Sequence, residues 1–224
     1  MCPARLFMTD SQSIDKNALG LENCQDPEGY LPPLESDPRP SWDQYFMEIA
    51  ELVSSRSTCL SRQVGAVIVR DRRILCTGFN GPPARIAHCI DLGCLRRGLG
   101  IPHGERMELC RGCCAEENAI LQAARIGIPL EDAHIYSTLQ PCLKCARMII
   151  NVGLKRVIFA GEYPQPMARE FLQAANIEMM LFDSKTGTLT QADNVERRYL
   201  DRHAHRNIRA GEINIVEKSG GQKK

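Results

Sequence analysis

The sequence predicts an α/β domain of three layers, α/β/α, in which a mixed five-stranded sheet carries helices on both faces. Three observations lead there. From residue 114 onward, segments of helical spacing alternate with short β-branched runs, the pattern of βαβ units and a partly parallel sheet. Before them, "VGAVIVR" and "RILCTGF" are β-rich runs joined through "DRR", the signal of an antiparallel hairpin. Before the hairpin, an amphipathic helix begins at Ser41.

In chain order, residues 1–40 are rich in Pro, Asp, Asn and Ser without a sustained period, and read as a tail or arm. Ser41 is a good N-cap, followed by Trp42, Tyr45, Phe46, Ile49, Ala50 and Val53 at helical spacing. After the hairpin, "NGPP" closes the second strand. Residues 82–112 are loop-like and hold Cys89, Cys94, His103 and Cys110. A loop that long inside a compact domain needs a reason, and metal binding is one. Next come the helix "CAEENAILQAARIG" ended by Gly127, the strand "AHIYSTL", and the helix "CLKCARMIINVG" ended by Gly153. The strand "RVIFAG", the helix "MAREFLQAAN" and the strand "IEMMLF" complete a domain spanning 41–184. Residues 185–224 form a polar, basic extension, within which "NVERRYLDRHAHRNIRAG" reads as one more helix with a solvated face or a subunit contact.

A net charge of +1 offers no strong field for nucleic acid or a membrane surface. No apolar run reaches the roughly 18 residues of a membrane span, and the acid-rich N-terminal region lacks a secretion or transit signal, so the expected location is cytoplasmic. In a reducing compartment the eleven cysteines are better read as ligands, catalytic groups or small buried apolar residues than as disulfides. Cys76, inside a strand, belongs to the buried kind, and Cys2 and Cys24 sit in the tail.

The clusters "CRGCCAEENAI" (110–120) and "PCLKC" (141–145) carry the chemistry. A zinc ribbon pairing Cys110 and Cys113 with Cys142 and Cys145 fits poorly. Twenty-eight residues separate the two knuckles, against about 15–20 in ribbons, and they spell a helix and a strand. Read instead as Cys114, Cys142 and Cys145, each group sits at a helix start, where the dipole favours a thiolate. Three protein ligands leave a fourth position open, the catalytic arrangement of zinc. Glu116, two residues past the first thiol, is placed to move protons there.

This pattern resembles a known signature, recognised as such and not inferred from spacing: zinc deaminases carry H-x-E followed by P-C-x-x-C, and three cysteines also occur. The blocks "CLSRQVGAVIV", "TGFNGPP", "CIDLGCLRRGLGIPHGERMELCRG", "AEENAI" and "QPCLKCARMIINVGLKRVIFAGEYP" are similar, in order, to those of the deoxycytidylate (dCMP) deaminase family of the bacterial competence-protein type. The resemblance covers about residues 41–184 and implies a cytidine-deaminase-like fold. It implies hydrolytic deamination of dCMP to dUMP and ammonia, supplying dUMP for thymidylate synthesis. It also implies one catalytic Zn2+ held by Cys114, Cys142 and Cys145, with Glu116 as proton shuttle. Asn80 is similar to the family's sugar-contacting asparagine, with a plain Asn-Gly turn as the other reading, and Ala115 and Thr138 are carried over as substrate contacts. Gly78, Phe79, Asn80 and Gly81 match a turn that binds the effectors dCTP and dTTP in regulated members, which are homo-oligomers, typically hexamers.

The family usually has histidine where this chain has Cys114. Three thiolates leave the bound water less acidified than a His/Cys/Cys set, and Arg111 or Arg147 is a candidate to offset the extra charge. Arg62 is a candidate for the 5′-phosphate, since a guanidinium fork suits phosphate. Cys59, Cys89, Cys94 and Cys110, with His103 as a substitute, are candidates for a second, structural zinc, which some dCMP deaminases carry. Cys113 is then expected to point into the core, Glu117 to be an ordinary exposed helical glutamate, and His88, His134, His203 and His205 to carry no motif. Two other functions stay open: deamination of a different pyrimidine nucleoside or nucleotide, and a catalytically weak, zinc-stabilised nucleotide-binding regulator.

Overall fold

The computed structural model describes residues 36–102, 105–163 and 165–192. The chain divides into two compact units, Met1–Arg39 and Pro40–Lys224, and the architecture below is that of the second within the described residues. The tail through residue 35, His103 and the expected helix after residue 193 lie outside the described residues.

Helix α1 (Trp42–Ser54) starts where the Ser41 hydroxyl accepts the Gln44 backbone N–H at 3.2 Å. Its inward face is Phe46, Met47 and Ala50, while Trp42 and Tyr45, expected inside, are 47% and 43% exposed. Trp42 lies at the helix start, stacked on Phe46 and capped by the Arg72 guanidinium, so its ring covers the core edge without entering it. Strands β1 (Gly65–Arg70) and β2 (Arg73–Phe79) pair antiparallel through Asp71 and Arg72, both at positive φ as a two-residue hairpin turn requires. The long loop contains the short helices α2 (Cys89–Leu92) and α3 (Leu95–Gly98) and one 3-10 turn. Then α4 (Ala115–Ile126), β3 (His134–Ser137), α5 (Leu143–Asn151), β4 (Arg156–Phe159), α6 (Pro166–Ala174) and β5 (Glu178–Asp183) alternate as the sequence implies.

The sheet order is β2-β1-β3-β4-β5-β6, with β3, β4 and β5 parallel and the remaining pairs antiparallel. The strand count corrects the expectation of five: β6 (Thr188–Gln191) returns beside β5 after the turn at Gly187. It is an edge strand whose threonines face solvent and whose apolar content is Leu189, so its period-2 signal is faint.

Side chains alternate between two cores, as a sheet covered on both faces requires. Ala66, Ile68, Ile135, Val157 and Phe159 pack with α4, α5 and α6, and Cys76 is buried there as its strand position implied. Val67, Val69, Tyr136, Ile158 and Phe182 pack with α1. Two glycines allow the helices to come this close. A Cβ on Gly65 would sit 2.0 Å from the Ala50 carbonyl oxygen, and one on Gly78 would sit 2.3 Å from that of Ala115. Among the described residues, no helix is long and apolar enough to cross a membrane.

Candidate active site

The start of α4 is set by Cys114, whose extended backbone makes it the N-cap, and by Glu117, whose Oε2 accepts the Cys114 backbone N–H at 3.1 Å. The start of α5 repeats the device, with Cys142 as N-cap and Cys145 within the first turn. Because β3 and β4 run parallel and each feeds from or into these helices, both helix starts emerge at the same end of the sheet. The three sulfurs consequently converge: all lie within 4.8 Å of one another, and Cys114 Sγ is 3.8 Å from Cys142 Sγ. Zinc–sulfur bonds of about 2.3 Å in tetrahedral geometry place sulfurs about 3.8 Å apart, so this donor set fits zinc.

The thiols act on one another. Hydrogen bonds from Cys114 and Cys145 hold the Cys142 thiol far below its ordinary range, so Cys142 is the first to ionise. The bond to Cys142 raises Cys114, and bonds to Cys114 and Cys142 raise Cys145, for the converse reason.

Glu116 is buried on α4, one turn into the site. Its Oε1 accepts the Ser137 hydroxyl at 3.2 Å, and its Oε2 lies 3.6 Å from the Cys145 sulfur. Burial pushes its carboxyl up to about 7, with the Cys142 charge adding and the Ser137 bond opposing. A cation among the thiols would pull it back down.

Cys114, Glu116 and Cys142 line a cavity of about 120 Å³, the scale of one six-membered ring. Its wall includes Arg62, Asn80, Arg96, Leu139, Gln140 and Tyr163. Arg96 is held by Met107 Sδ at 3.0 Å and the Pro102 carbonyl at 3.1 Å, while its buried Nε has no hydrogen-bond partner among the described residues. Both Arg96 and Arg62 act electrostatically on the Tyr163 phenol, whose pKa burial raises.

The "GFNG" turn is stitched to the site. Gly78 lets α4 approach, and the Phe79 carbonyl accepts the Asn118 amide at 2.8 Å. Asn80 Oδ1 accepts the Val64 N–H, and its Nδ2 donates to the Arg62 carbonyl, both at 2.8 Å. That leaves one side-chain N–H and one lone pair for a ligand. Gly81 pairs by two backbone hydrogen bonds with Cys113, which fixes the approach to Cys114. Ala115 lines the cavity from the first residue of α4. Thr138 is not among the lining residues, and its hydroxyl accepts the Gly65 N–H at 3.1 Å.

Three expectations are corrected. Cys113 is half-buried and lines the cavity instead of the core, because its pairing with Gly81 turns that strand-like segment toward the opening. Glu117 is no exposed helical glutamate: its side chain is 15% exposed and pairs with Lys144 at 2.6 Å. Arg111 and Arg147 are engaged elsewhere, Arg111 with the Gly93 carbonyl and Arg147 over the Phe171 ring, and the cation beside the cluster is Lys144. Burial works against the Lys144 ammonium, but Glu117 outweighs it and Cys114 and Cys145 add to the effect.

Cys59, Cys89 and Cys110 line the cavity, and the Cys89 thiol is raised first by burial and then by the charges of Cys59, Cys110 and Cys94. Among the described residues, Cys114, Cys142 and Cys145 are the one set of three potential ligands at ligating distance. Sequence reasoning missed Ser137, Gln140, Tyr163, Arg96 and Met107. Ser137 had one usable signal, a polar residue following the apolar Ile135 and Tyr136 at the end of a strand. The others come from segments without a period.

A family profile described as the cytidine and deoxycytidylate deaminase zinc-binding region matches residues 40–161, just over half of the chain. The chain is 42% identical over 140 residues to ComE operon protein 2 of Bacillus subtilis, covering 62% of this chain and 70% of that protein. It is 39% identical over 142 residues to the deoxycytidylate deaminase of Schizosaccharomyces pombe, covering 63% of this chain and 44% of the yeast protein, so it spans less than half of that relative's length. Among solved structures, the dCMP deaminase of cyanophage S-TIM5, bound to dCMP and dUMP, superposes with a TM-score of 0.53. It is 28% identical, and the match covers 64% of this chain and 98% of that one.

Proposed function

Because the chain belongs to the cytidine and deoxycytidylate deaminase family, whose profile spans its zinc-binding region, we propose that it catalyses the hydrolytic deamination of dCMP to dUMP and ammonia. The observation that carries the reading is the buried Glu116 carboxyl, held by Ser137 and touching a three-thiol cluster at the base of a ring-sized cavity. Cys114, Cys142 and Cys145 would hold Zn2+, which supplies a water activated at neutral pH. Glu116 takes one proton from that water and delivers it to ring N3 of cytosine, and the water oxygen bonds to C4. Glu116 then carries the second proton of that water to the amine, whose bond to C4 breaks, so the products are ammonia and the uracil base. Ser137 keeps the carboxylate aimed while it cycles between charged and neutral forms.

Arg62 and Arg96 are proposed to meet the 5′-phosphate, and Asn80 the sugar. Arg96 has its Nε buried and free to donate among the described residues. The dCMP and dUMP of the cyanophage enzyme support a monophosphate as ligand. Thr138 acts through the backbone of Gly65, which it holds. A second, structural zinc at Cys59, Cys89, Cys94 and Cys110 is part of the same reading, supported by Cys59, Cys89 and Cys110 sharing one cavity wall. Two zinc per chain, falling to one in Cys89→Ser, is the expected stoichiometry. Control by dCTP and dTTP at Gly78, Phe79, Asn80 and Gly81, in a homo-oligomer such as a hexamer located in the cytoplasm, extends the reading by family. Measuring mass and dCMP turnover with and without each triphosphate tests it.

The function itself is tested by following absorbance with dCMP, CMP, deoxycytidine and dCTP, beside Glu116→Ala. Turnover of dCMP that Glu116→Ala abolishes while zinc stays bound supports it. A zinc-loaded protein that turns over none of them removes it.

A further inference from the structure

The three thiols come from two helices, and one ion pair ties the starts of those helices together. Lys144 lies between Cys142 and Cys145 in the first turn of α5. Its Nζ is 2.6 Å from Glu117 Oε2, and that same oxygen accepts the backbone N–H of Cys114 at 3.1 Å. One carboxylate oxygen therefore bridges the residue bearing the first thiol and the turn bearing the other two. The Glu117 carboxylate is nearly buried, while Lys144 reaches in from solvent with 58% of its side chain exposed.

The position of Lys144 is unusual for its helix. A cation in the first turn opposes the macrodipole and weakens a helix by about 0.3–1 kcal/mol. Glu117, in the first turn of α4, is on the favourable end. A lysine at the unfavourable end implies a compensating interaction, and there are two. One is the ion pair. The other is position: Lys144 lies between Cys142 and Cys145 in the chain, while Arg111 and Arg147 are engaged elsewhere. Three thiolates bring one more negative charge than a divalent ion neutralises.

We propose that the Glu117–Lys144 pair is a positioning device for the metal, which fixes the two helix starts relative to each other and sets a cation beside a ligand set of excess negative charge. The proposal rests on the zinc reading above. Glu117 and Lys144 are positioning residues, since neither donates a ligand atom.

The test is a double-mutant cycle read as metal affinity: Glu117→Gln, Lys144→Met and the double variant, with Lys144→Arg as the conservative control. Glu117→Gln keeps an oxygen to accept the Cys114 N–H while removing the charge. Zinc affinity is measured by competition with a chromophoric chelator, and the thiolate-to-metal absorption of the cobalt-substituted protein reports the ligand set. Each single variant is expected to bind zinc about threefold to tenfold more weakly. The double variant should lose about as much as one single, Lys144→Arg should bind within about twofold of the unmodified chain, and the cobalt absorption should persist in all. Single variants that bind zinc as the unmodified chain does, or losses that multiply in the double variant, overturn the proposal while leaving the zinc site intact. An unmodified chain that shows no thiolate–cobalt absorption overturns both readings together. Should Lys144→Met fold poorly by circular dichroism, Lys144→Gln takes its place in the cycle with the same expected outcomes.

Discussion

Replacing Glu116 by glutamine separates the chemistry of this carboxyl from its effect on the fold. Glu116 is 4% exposed, and burial raises its pKa from an ordinary 4.5 to about 7. The sign follows from proton binding. Between those two values the folded protein keeps the proton and the unfolded chain releases it, so stability falls as pH rises. The penalty is absent below about pH 4.5 and complete above about pH 7. At about 1.4 kcal/mol per pH unit, it amounts to roughly 3 kcal/mol. In zinc-stripped protein, Glu116→Gln removes the ionisation and keeps a group able to bond Ser137, so it should be more stable than the unmodified chain by about 2–3 kcal/mol at pH 8. The gain should vanish near pH 4.5. Urea unfolding of both proteins, stripped by chelation under reducing conditions and followed from pH 4.5 to 8, measures the difference directly. In the zinc-loaded form the gain should shrink, because the ion stabilises the carboxylate, while dCMP turnover is lost. A pH-independent difference, or a glutamine variant less stable throughout, would refute the reasoning that burial controls this group.

Three further predictions follow from the geometry. Gly78→Ala places a Cβ 2.3 Å from the Ala115 carbonyl oxygen and 2.4 Å from the Ala119 nitrogen, so thermal unfolding should show a loss of about 3 kcal/mol, a fall in Tm of roughly 6–12 °C. Arg96→Gln should raise KM for dCMP about tenfold or more and leave KM for deoxycytidine unchanged, because a nucleoside brings no phosphate; equal effects on both substrates would reassign Arg96 to holding Met107 and Pro102. Removing zinc with a chelator should abolish turnover, and returning zinc at two equivalents per chain should restore it; full activity in zinc-stripped protein would exclude the role given to Cys114, Cys142 and Cys145.

The converging cysteines were legible in the sequence because each thiol belongs to a helix start, and because their order with Glu116 resembles a recognised signature. Glu116 was legible by its offset from Cys114. The alternation of strands and helices gave the three layers and the parallel centre of the sheet, because apolar faces of period two and 3.6 can be buried together in few ways. β6 was not legible, since an edge strand with solvent-facing threonines needs little apolar content. Glu117 was misjudged for a related reason: a helical glutamate reads the same whether it faces water or a neighbouring helix, and only the arrival of Lys144 distinguishes the two. Cys113 went wrong because its direction is set by Gly81, more than thirty residues earlier in the chain.

By itself, then, the sequence determined the layers, the order of elements, the family and the three sulfurs that converge, all of which rest on local patterns or on motifs carried within single segments. The tertiary structure alone decided what surrounds those sulfurs. It brought Ser137 to Glu116, Lys144 to Glu117, and Arg96 with Tyr163 to the cavity wall. Each of those meetings joins segments whose own periods say nothing about one another, and a side chain's burial, and with it its charge and proton affinity, exists only once the packing that causes it has formed.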